Sequence, residues 1–233
     1  MDIKGSKILV TGGSLGIGRE TARQLVELGA EVIITGRNEE RIMAAAEEIG
    51  AIALPADVAD QADIEKTFAL VQERFGRLDC LLNNAGIGRF STLEEFTAEQ
   101  FHEVMNVNVL GAALMAQRAA AMMKETGSGT IVNIGSTAAL RGFERGTIYT
   151  ASKFALRGMN QSWQAELRRE NIRVMQINLS EVATAFNNPA RVEREAAENK
   201  LRAADAAQLI ISLLQLDQRA MVPEVQLWAT NPW

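Results

Sequence analysis

Seven short runs of aliphatic and β-branched residues recur along the 233-residue chain, separated by longer segments with helical periodicity. The runs are KILVT (7–11), EVIIT (31–35), AIALP (51–55), LDCLL (78–82), TIVNIG (130–135), IRVMQINL (172–179) and EVQLWA (224–229). Strand and helix alternating in this way require parallel strands, because only a crossover helix returns the chain to the same end of a sheet. The runs are continuously apolar rather than alternating, as strands covered on both faces are. Between them, residues 18–29 carry Ala22, Leu25, Val26 and Leu28 and stop at Gly29, and residues 38–50 stop at Gly50. Residues 60–76 place Ile64, Phe68 and Val71 on one face and stop at Gly76, glycine being the residue that best ends a helix. Two further helices are longer: one from Phe96 or Thr97 to Thr126, interrupted near Asn106–Gly111, and one from Thr147 to Glu170. Four prolines and no Pro/Gly/Ser-rich linker leave residues 1–233 as one α/β domain, a doubly wound parallel seven-stranded sheet with helices on both faces.

The first strand runs directly into Thr11-Gly12-Gly13-Ser14-Leu15-Gly16-Ile17-Gly18, and a helix follows. Glycines let a backbone turn tightly and approach a pyrophosphate, and the helix start presents N–H groups and a positive dipole end to it. Gly12, Ser14, Leu15, Gly16, Ile17 and Gly18 are therefore candidate cofactor-binding residues in a Rossmann-type entrance. No Gly-Lys-Ser/Thr follows, which disfavours nucleotide hydrolysis. The second strand ends Thr35-Gly36-Arg37-Asn38, without the carboxylate that would bind the ribose hydroxyls of NAD. The Arg37 guanidinium suits a 2′-phosphate, so NADP(H) is favoured over NAD(H). Arg19, just after the loop, is a second candidate phosphate contact.

Net charge is −5 with both signs interspersed, and no basic block suggests nucleic acid or an anionic membrane as a partner. The apolar run near the N-terminus is too short for a signal-peptide core, and no stretch approaches a membrane span. A cytoplasmic enzyme is expected. The single cysteine, Cys80, lies within an apolar run and reads as a buried strand residue, and the single histidine, His102, as a helix-surface residue. No metal site is expected from one of each.

Tyr149 and Lys153 stand four residues apart, one helical turn, so a phenol and an ammonium share a face. A nearby cation stabilises phenolate and lowers the tyrosine pKa, which suits Tyr149 to proton transfer. Together with TGGSLGIG (11–18), Asp57-Val58, Asn83-Asn84-Ala85-Gly86, Asn108-x-x-Gly111 and IVNIGS ending at Ser136, the YTASK segment (149–153) resembles the short-chain dehydrogenase/reductase family in order and spacing, over residues 7 to about 184.

The resemblance implies an oxidoreductase moving hydride between a nicotinamide cofactor and a carbonyl or secondary alcohol. It implies Tyr149 as general acid/base and Lys153 as the cation that binds the nicotinamide ribose and depresses the Tyr149 pKa. Ser136 would bond the substrate oxygen, and Asn108 would hold a water leading from Lys153 to a proton relay. Asp57 and Val58 would contact adenine. Asn84, Ala85 and Gly86 would line the cofactor's path, with Val182 and Thr184 near the carboxamide. Asn83 and Asn84 could instead tie strands together. Substrates from 3-oxoacyl thioesters to small ketones, hydroxy acids and polyols fit equally, as do, more distantly, a cofactor-binding sensor or scaffold and an epimerase. Phe90, Phe143 and residues 185–202 would shape the pocket, with 187–202 read as a polar solvated helix or a mobile flap. The family's Pro-Gly after the sixth strand is here Leu179-Ser180, and the tail carries Trp228 and Trp233, covering a neighbouring subunit or packing locally. A homodimer or homotetramer is implied, and the Ala/Met-rich face Ala112, Ala113, Met115, Ala116, Ala119, Ala120, Met122 and Met123 is a candidate contact, part of it accounted for by burial on the chain's own sheet.

Overall fold

The computed structural model describes residues 1–188 and 190–231. Strands β1 (Lys7–Thr11), β2 (Glu31–Gly36), β3 (Ile52–Pro55), β4 (Cys80–Asn83), β5 (Gly129–Ile134), β6 (Ile172–Leu179) and β9 (Glu224–Leu227) form one parallel sheet in the order β3-β2-β1-β4-β5-β6-β9. The chain winds outward one way from β1 and then returns to wind the other way from β4. The strand order therefore reverses between β1 and β4, and a crevice opens there at the carboxyl ends of the strands.

Strand residues alternate between two cores. Ile8, Val10, Ile34 and Ile177 pack under α1 (Gly16–Glu27), α2 (Glu39–Ile49) and α7 (Ala203–Gln215). Leu9, Ile33, Leu81 and Val174 pack on the opposite face under α3 (Gln61–Phe75), α4 (Ala98–Met105), α5 (Ala112–Thr126) and α6 (Thr147–Leu167). Helix ends follow local chemistry. Asn38 and Asp60 accept N–H groups of the first turns of α2 and α3, and Gly50 and Gly76 end those helices with φ of 75° and 67°. Cys80 is fully buried in β4 and His102 lies exposed on α4.

The interruption expected near Asn106–Gly111 is a π-helical stretch over those six residues between α4 and α5. Buried polar side chains tie the centre of the sheet to its helices. Asn83 Nδ2 donates to Asn133 Oδ1 (3.0 Å) and to the Ala112 carbonyl (3.1 Å), and Asn133 Nδ2 donates to Asn160 Oδ1 (2.8 Å).

Two expectations narrow and one element is added. Most of the Ala/Met face of α5 is covered by the chain itself: Ala112, Met115, Ala116, Ala119, Ala120 and Met123 are buried, leaving Ala113 and Met122 half-buried. The segment 187–202 contains no helix among its described residues. It is an irregular loop whose neck is pinned where β7 (Val182–Ala183) pairs with β8 (Leu201–Arg202). Helix α7, which follows at once, completes the layer against α1 and was not anticipated. Trp228 is 46% exposed with the Arg141 guanidinium 5.8 Å from its ring, whereas Trp233 lies outside the described residues.

Candidate active site

A cleft of about 1020 Å³ runs along the carboxyl ends of the strands, from the end of β2 past the loop after β1 to the start of α6. Gly12, Ser14, Leu15, Gly16 and Ile17 form its floor, with Arg37, Asp57 and Val58 at one end. Asn84, Ala85, Gly86, Ser136, Tyr149, Lys153, Val182 and Thr184 line the rest. Residues from the ends of six strands thus meet in one groove.

The glycine loop is shaped by a few tight contacts. Gly12 and Gly16 have φ of 66° and 56°, a conformation side chains disfavour. Asn84 Nδ2 donates to the carbonyls of Thr11 (2.9 Å) and Gly12 (3.0 Å), and Thr11 Oγ1 accepts the N–H groups of Asn84 and Ala85 (both 3.0 Å). Gly18 does not line the cleft. It lies behind the loop, where a Cβ would run into Asn84 Nδ2 and the Gly12 carbonyl. Its role is to let Asn84 close on the loop. Arg19 is not at the cleft either: its guanidinium pairs with Glu48 of α2, 2.5 Å away. Helical rotation turns it away from the loop that precedes it.

Arg37 is half exposed, and its guanidinium sits 3.9 Å from the Asp57 carboxylate. Arg41, in the first turn of α2, and Arg191, from the loop above, line the same end. Burial, and then the fields of Arg37 and Arg41, hold the Arg191 guanidinium below its ordinary pKa. Neither Arg41 nor Arg191 was singled out in the sequence. Arg41 lies in the first turn of the helix that follows Arg37, and that placement just after the second strand is the signal that could have revealed it.

At the other end Ser136 caps the short helical turn Thr137–Ala139, its hydroxyl accepting the Ala138 N–H at 3.1 Å. Tyr149 sits in the first turn of α6 and Lys153 one turn later on the same face. Lys153 is buried, donates to the Ile134 carbonyl at 2.9 Å, and lies 5.7 Å from the centre of the Tyr149 ring. Burial lowers the Lys153 pKa to about 8. Burial also raises the Tyr149 phenol to about 12, opposed in part by a hydrogen bond to Ser136. The expected lowering of the tyrosine pKa by Lys153 is not what this structure shows, because desolvation of the phenol dominates.

Asn108 lies behind this wall, within the π-helical stretch. Its Oδ1 accepts the Ile87 N–H (2.9 Å), and its Nδ2 donates to the Ile87 carbonyl (2.9 Å) and to Ser152 Oγ (3.0 Å). Both Nδ2 hydrogens are committed, and Oδ1 keeps one lone pair beyond the Ile87 bond, so the side chain can offer a water an acceptor but no donor. Gly86 lies beside these groups: a Cβ there would be in ordinary contact with Asn108 Oδ1 at 3.4 Å and Lys153 Nζ at 3.8 Å.

A row of rings stands beside the phenol. Phe90 and Phe186 lie 5.4 and 5.7 Å from the Tyr149 ring, and Phe143 lies 6.0 Å from Phe90. Gly88 makes room for them, a Cβ there meeting Phe90 at 2.6 Å and Phe186 at 3.2 Å. After β6, the N–H of Ser180, which stands where a Pro-Gly was expected, donates to the Leu227 carbonyl (2.9 Å) and fixes the start of the loop. Thr184 is buried, and a Cβ on Gly16 would lie 3.1 Å from its side chain.

The cradle fits a dinucleotide: glycine backbone with no room for side chains, a helix start above it, and a loop amide that already holds an anion. The Gly16 N–H donates to the Glu193 carboxylate at 2.7 Å. Among the described residues no helix is long and apolar enough to cross a membrane, and no group of three or more His, Cys, Asp or Glu side chains could hold a metal.

Residues 6–195 match the family model described as short chain dehydrogenase. Sepiapterin reductase of Chlorobaculum tepidum is 30% identical, the match covering 96% of each chain. The alcohol dehydrogenase of the archaeon Thermococcus sibiricus, solved with 5-hydroxy-NADP, superposes with a TM-score of 0.91 at 27% identity over 97% of each chain. The 3-ketoacyl-(acyl-carrier-protein) reductase of Brucella melitensis, solved with NADH, gives a TM-score of 0.89 at 27% identity, covering 99% of this chain and 100% of that one. The chain therefore belongs to the short chain dehydrogenase family and is an NAD(P)-dependent oxidoreductase.

Proposed function

We propose that the chain is an NADP(H)-dependent enzyme that interconverts an apolar, ring-bearing ketone and its secondary alcohol, with Tyr149 handling the proton. The observation that carries this reading is the meeting of Ser136, Tyr149 and Lys153 at one end of a cleft whose other end presents the glycine loop and Arg37. The bound cofactor supplies hydride to the carbonyl carbon or takes it from the alcohol.

Each protein group has a part. The half-buried Tyr149 phenol, held protonated at neutral pH, donates its proton to the substrate oxygen as charge develops there. Lys153, 5.7 Å from the ring, is still charged near neutrality and stabilises the tyrosinate left behind. Ser136 hydrogen-bonds the same substrate oxygen. Asn108 is a positioning residue: through Ser152, whose hydroxyl donates to the Tyr149 carbonyl (2.7 Å), it braces the turn that carries the tyrosine. Arg37 supports the preference for a 2′-phosphate, although the relatives' bound cofactors include both nicotinamide types. In this reading Val182 and Thr184 bound the nicotinamide end and Asp57 and Val58 the adenine end, which their positions along the cleft lining support.

The rings of Phe90, Phe143 and Phe186 favour a flat apolar substrate over hydroxy acids and polyols, because aromatic faces reward stacking and offer polar groups nothing. A 3-oxoacyl thioester is the competing substrate. Self-association fits Leu110 and Phe154, which stand exposed next to α5 and on α6. Solution scattering decides between monomer, dimer and tetramer, and a monomeric mass at micromolar concentration removes this part of the reading.

The deciding experiment follows NADPH consumption, with NADH in parallel, against cyclic and aryl ketones and an acetoacetyl thioester, for wild type and Tyr149→Phe. Tyr149-dependent reduction of ring ketones supports the whole reading. Faster thioester turnover replaces the substrate class. NADPH binding without any turnover favours a sensor.

A further inference from the structure

The loop over the cleft brings a carboxylate to the place where the fold is built to receive phosphate. Glu193 Oε1 accepts the Gly16 N–H at 2.7 Å, at the first residue of α1 (Gly16–Glu27), and its Oε2 accepts the Ala185 N–H at 2.9 Å. One carboxylate thus bridges the glycine loop and the base of its own loop. A helix start favours anions, and its amide donates a charge-assisted bond to whichever anion is there. Gly16 cannot donate to Glu193 and to a cofactor phosphate at once, since it has one N–H.

The loop that carries Glu193 is built as a hinged flap. Its ends are clamped together by the pairing of Val182 with Leu201 and of Ala183 with Arg202, so the residues between them can move without disturbing the sheet. At its root Thr184 rests against Gly16. Glu193 is itself exposed, so solvent screens its bonds and leaves them displaceable. Two non-glycine residues of the seated flap, Asn187 and Arg191, hold φ of 56° and 53°, a strained backbone that movement relieves.

We propose that Glu193 is an internal competitor for the cofactor: its carboxylate occupies the phosphate-binding amide of Gly16 in the free enzyme, and the cofactor must displace it, unseating the flap. The proposal rests on the cofactor reading above. It makes Glu193 a determinant of cofactor affinity although it touches no part of the bound cofactor. An enzyme whose binding-competent form is only a fraction of the population binds with an affinity reduced by that fraction. Removing the competitor raises the fraction towards one.

The test titrates NADPH by fluorescence into wild type, Glu193→Ala and Glu195→Ala. Glu195 is a second exposed acid on the same flap and controls for a general loss of negative charge. Glu193→Ala should bind NADPH about three- to tenfold more tightly, and Glu195→Ala less than twofold more tightly. Inorganic pyrophosphate, used as a displacing probe, should show the same order. Amide hydrogen exchange at Gly16 and Ala185 in the free proteins should be faster in Glu193→Ala than in wild type. Equal NADPH affinities for Glu193→Ala and Glu195→Ala overturn this proposal and leave the cofactor reading standing. Failure of all three proteins to bind NADPH overturns both.

Discussion

The Lys153 ammonium is held 2.9 Å from the Ile134 carbonyl, with its charge 5.7 Å from the centre of the Tyr149 ring and almost no water around it. Keeping that ammonium charged costs stability, because burial lowers its pKa from 10.5 to about 8. Between these values the unfolded chain binds the extra proton, so the Lys153 contribution to stability rises with pH from about 8 to 10.5. Lys153→Met should remove that rise and stabilise the ligand-free protein near pH 7 by about 1–2 kcal/mol, the desolvation gain being partly offset by the lost bond to Ile134. NADPH-dependent turnover should fall at least about a hundredfold in the same variant. Chemical denaturation of both proteins across this pH range checks the first part. A variant less stable than wild type at every pH would show that the lysine serves the fold rather than straining it.

Arg37 has a partner already, the Asp57 carboxylate 3.9 Å away, but a long and exposed one. Such a pair is weak, so the guanidinium is free to take a 2′-phosphate. Arg37→Asp puts a carboxylate where ribose hydroxyls would lie and faces it with a second acid. NADPH kcat/KM should drop about 10- to 100-fold, as expected for loss of a charge-assisted contact, while NADH changes little or improves. Paired kinetics with the two cofactors settle it, and an unchanged ratio removes Arg37 from the 2′-phosphate site.

Gly18 never touches the cleft, yet the loop depends on it. A methyl group there meets Asn84 Nδ2 and the Gly12 carbonyl, both part of the clamp that sets the loop. Gly18→Ala should therefore weaken NADPH binding about tenfold or more and lower Tm by several degrees, as overpacking a buried contact does. NADPH titration with thermal unfolding tests this, and wild-type affinity would mean that the Asn84 clamp is dispensable.

Local signals made much of this molecule readable. The strand order and crevice follow from alternating apolar runs, and IRVMQINL, which lies at residues 172–179, is a strand over its whole length. The glycine loop, Ser136, Tyr149 and Lys153 could be placed in one cleft because each follows a strand end or shares a helix turn. What could not be read depends on long-range geometry. Nothing in the local pattern turns Arg19 towards Glu48, or commits both ends of the Asn108 amide to Ile87 and Ser152. The burial that outweighs the Ser136 hydrogen bond at Tyr149 is set by the folded cleft and not by the local pattern, and so is the reach of Glu193 to Gly16 across 177 residues.

The ring row beside the phenol makes the substrate preference testable one side chain at a time. Phe90 touches both Phe143 and Tyr149, and Phe186 touches Tyr149 from a different element, so the two rings bound the reacting position from separate segments. A ketone carried on a flat ring gains contact with both, whereas a short linear ketone reaches neither fully. Stacking contributes about 0.5–1.5 kcal/mol, about two- to thirteenfold in binding, and the apolar area each ring buries adds to that. Phe90→Ala and Phe186→Ala should each raise KM for a cyclic ketone about tenfold, leave kcat within about threefold, and barely alter kcat/KM for a small linear ketone. Equal losses on both substrates would instead mean that the rings hold Tyr149 in place. In that case kcat would fall on every substrate, because the proton donor itself would have moved.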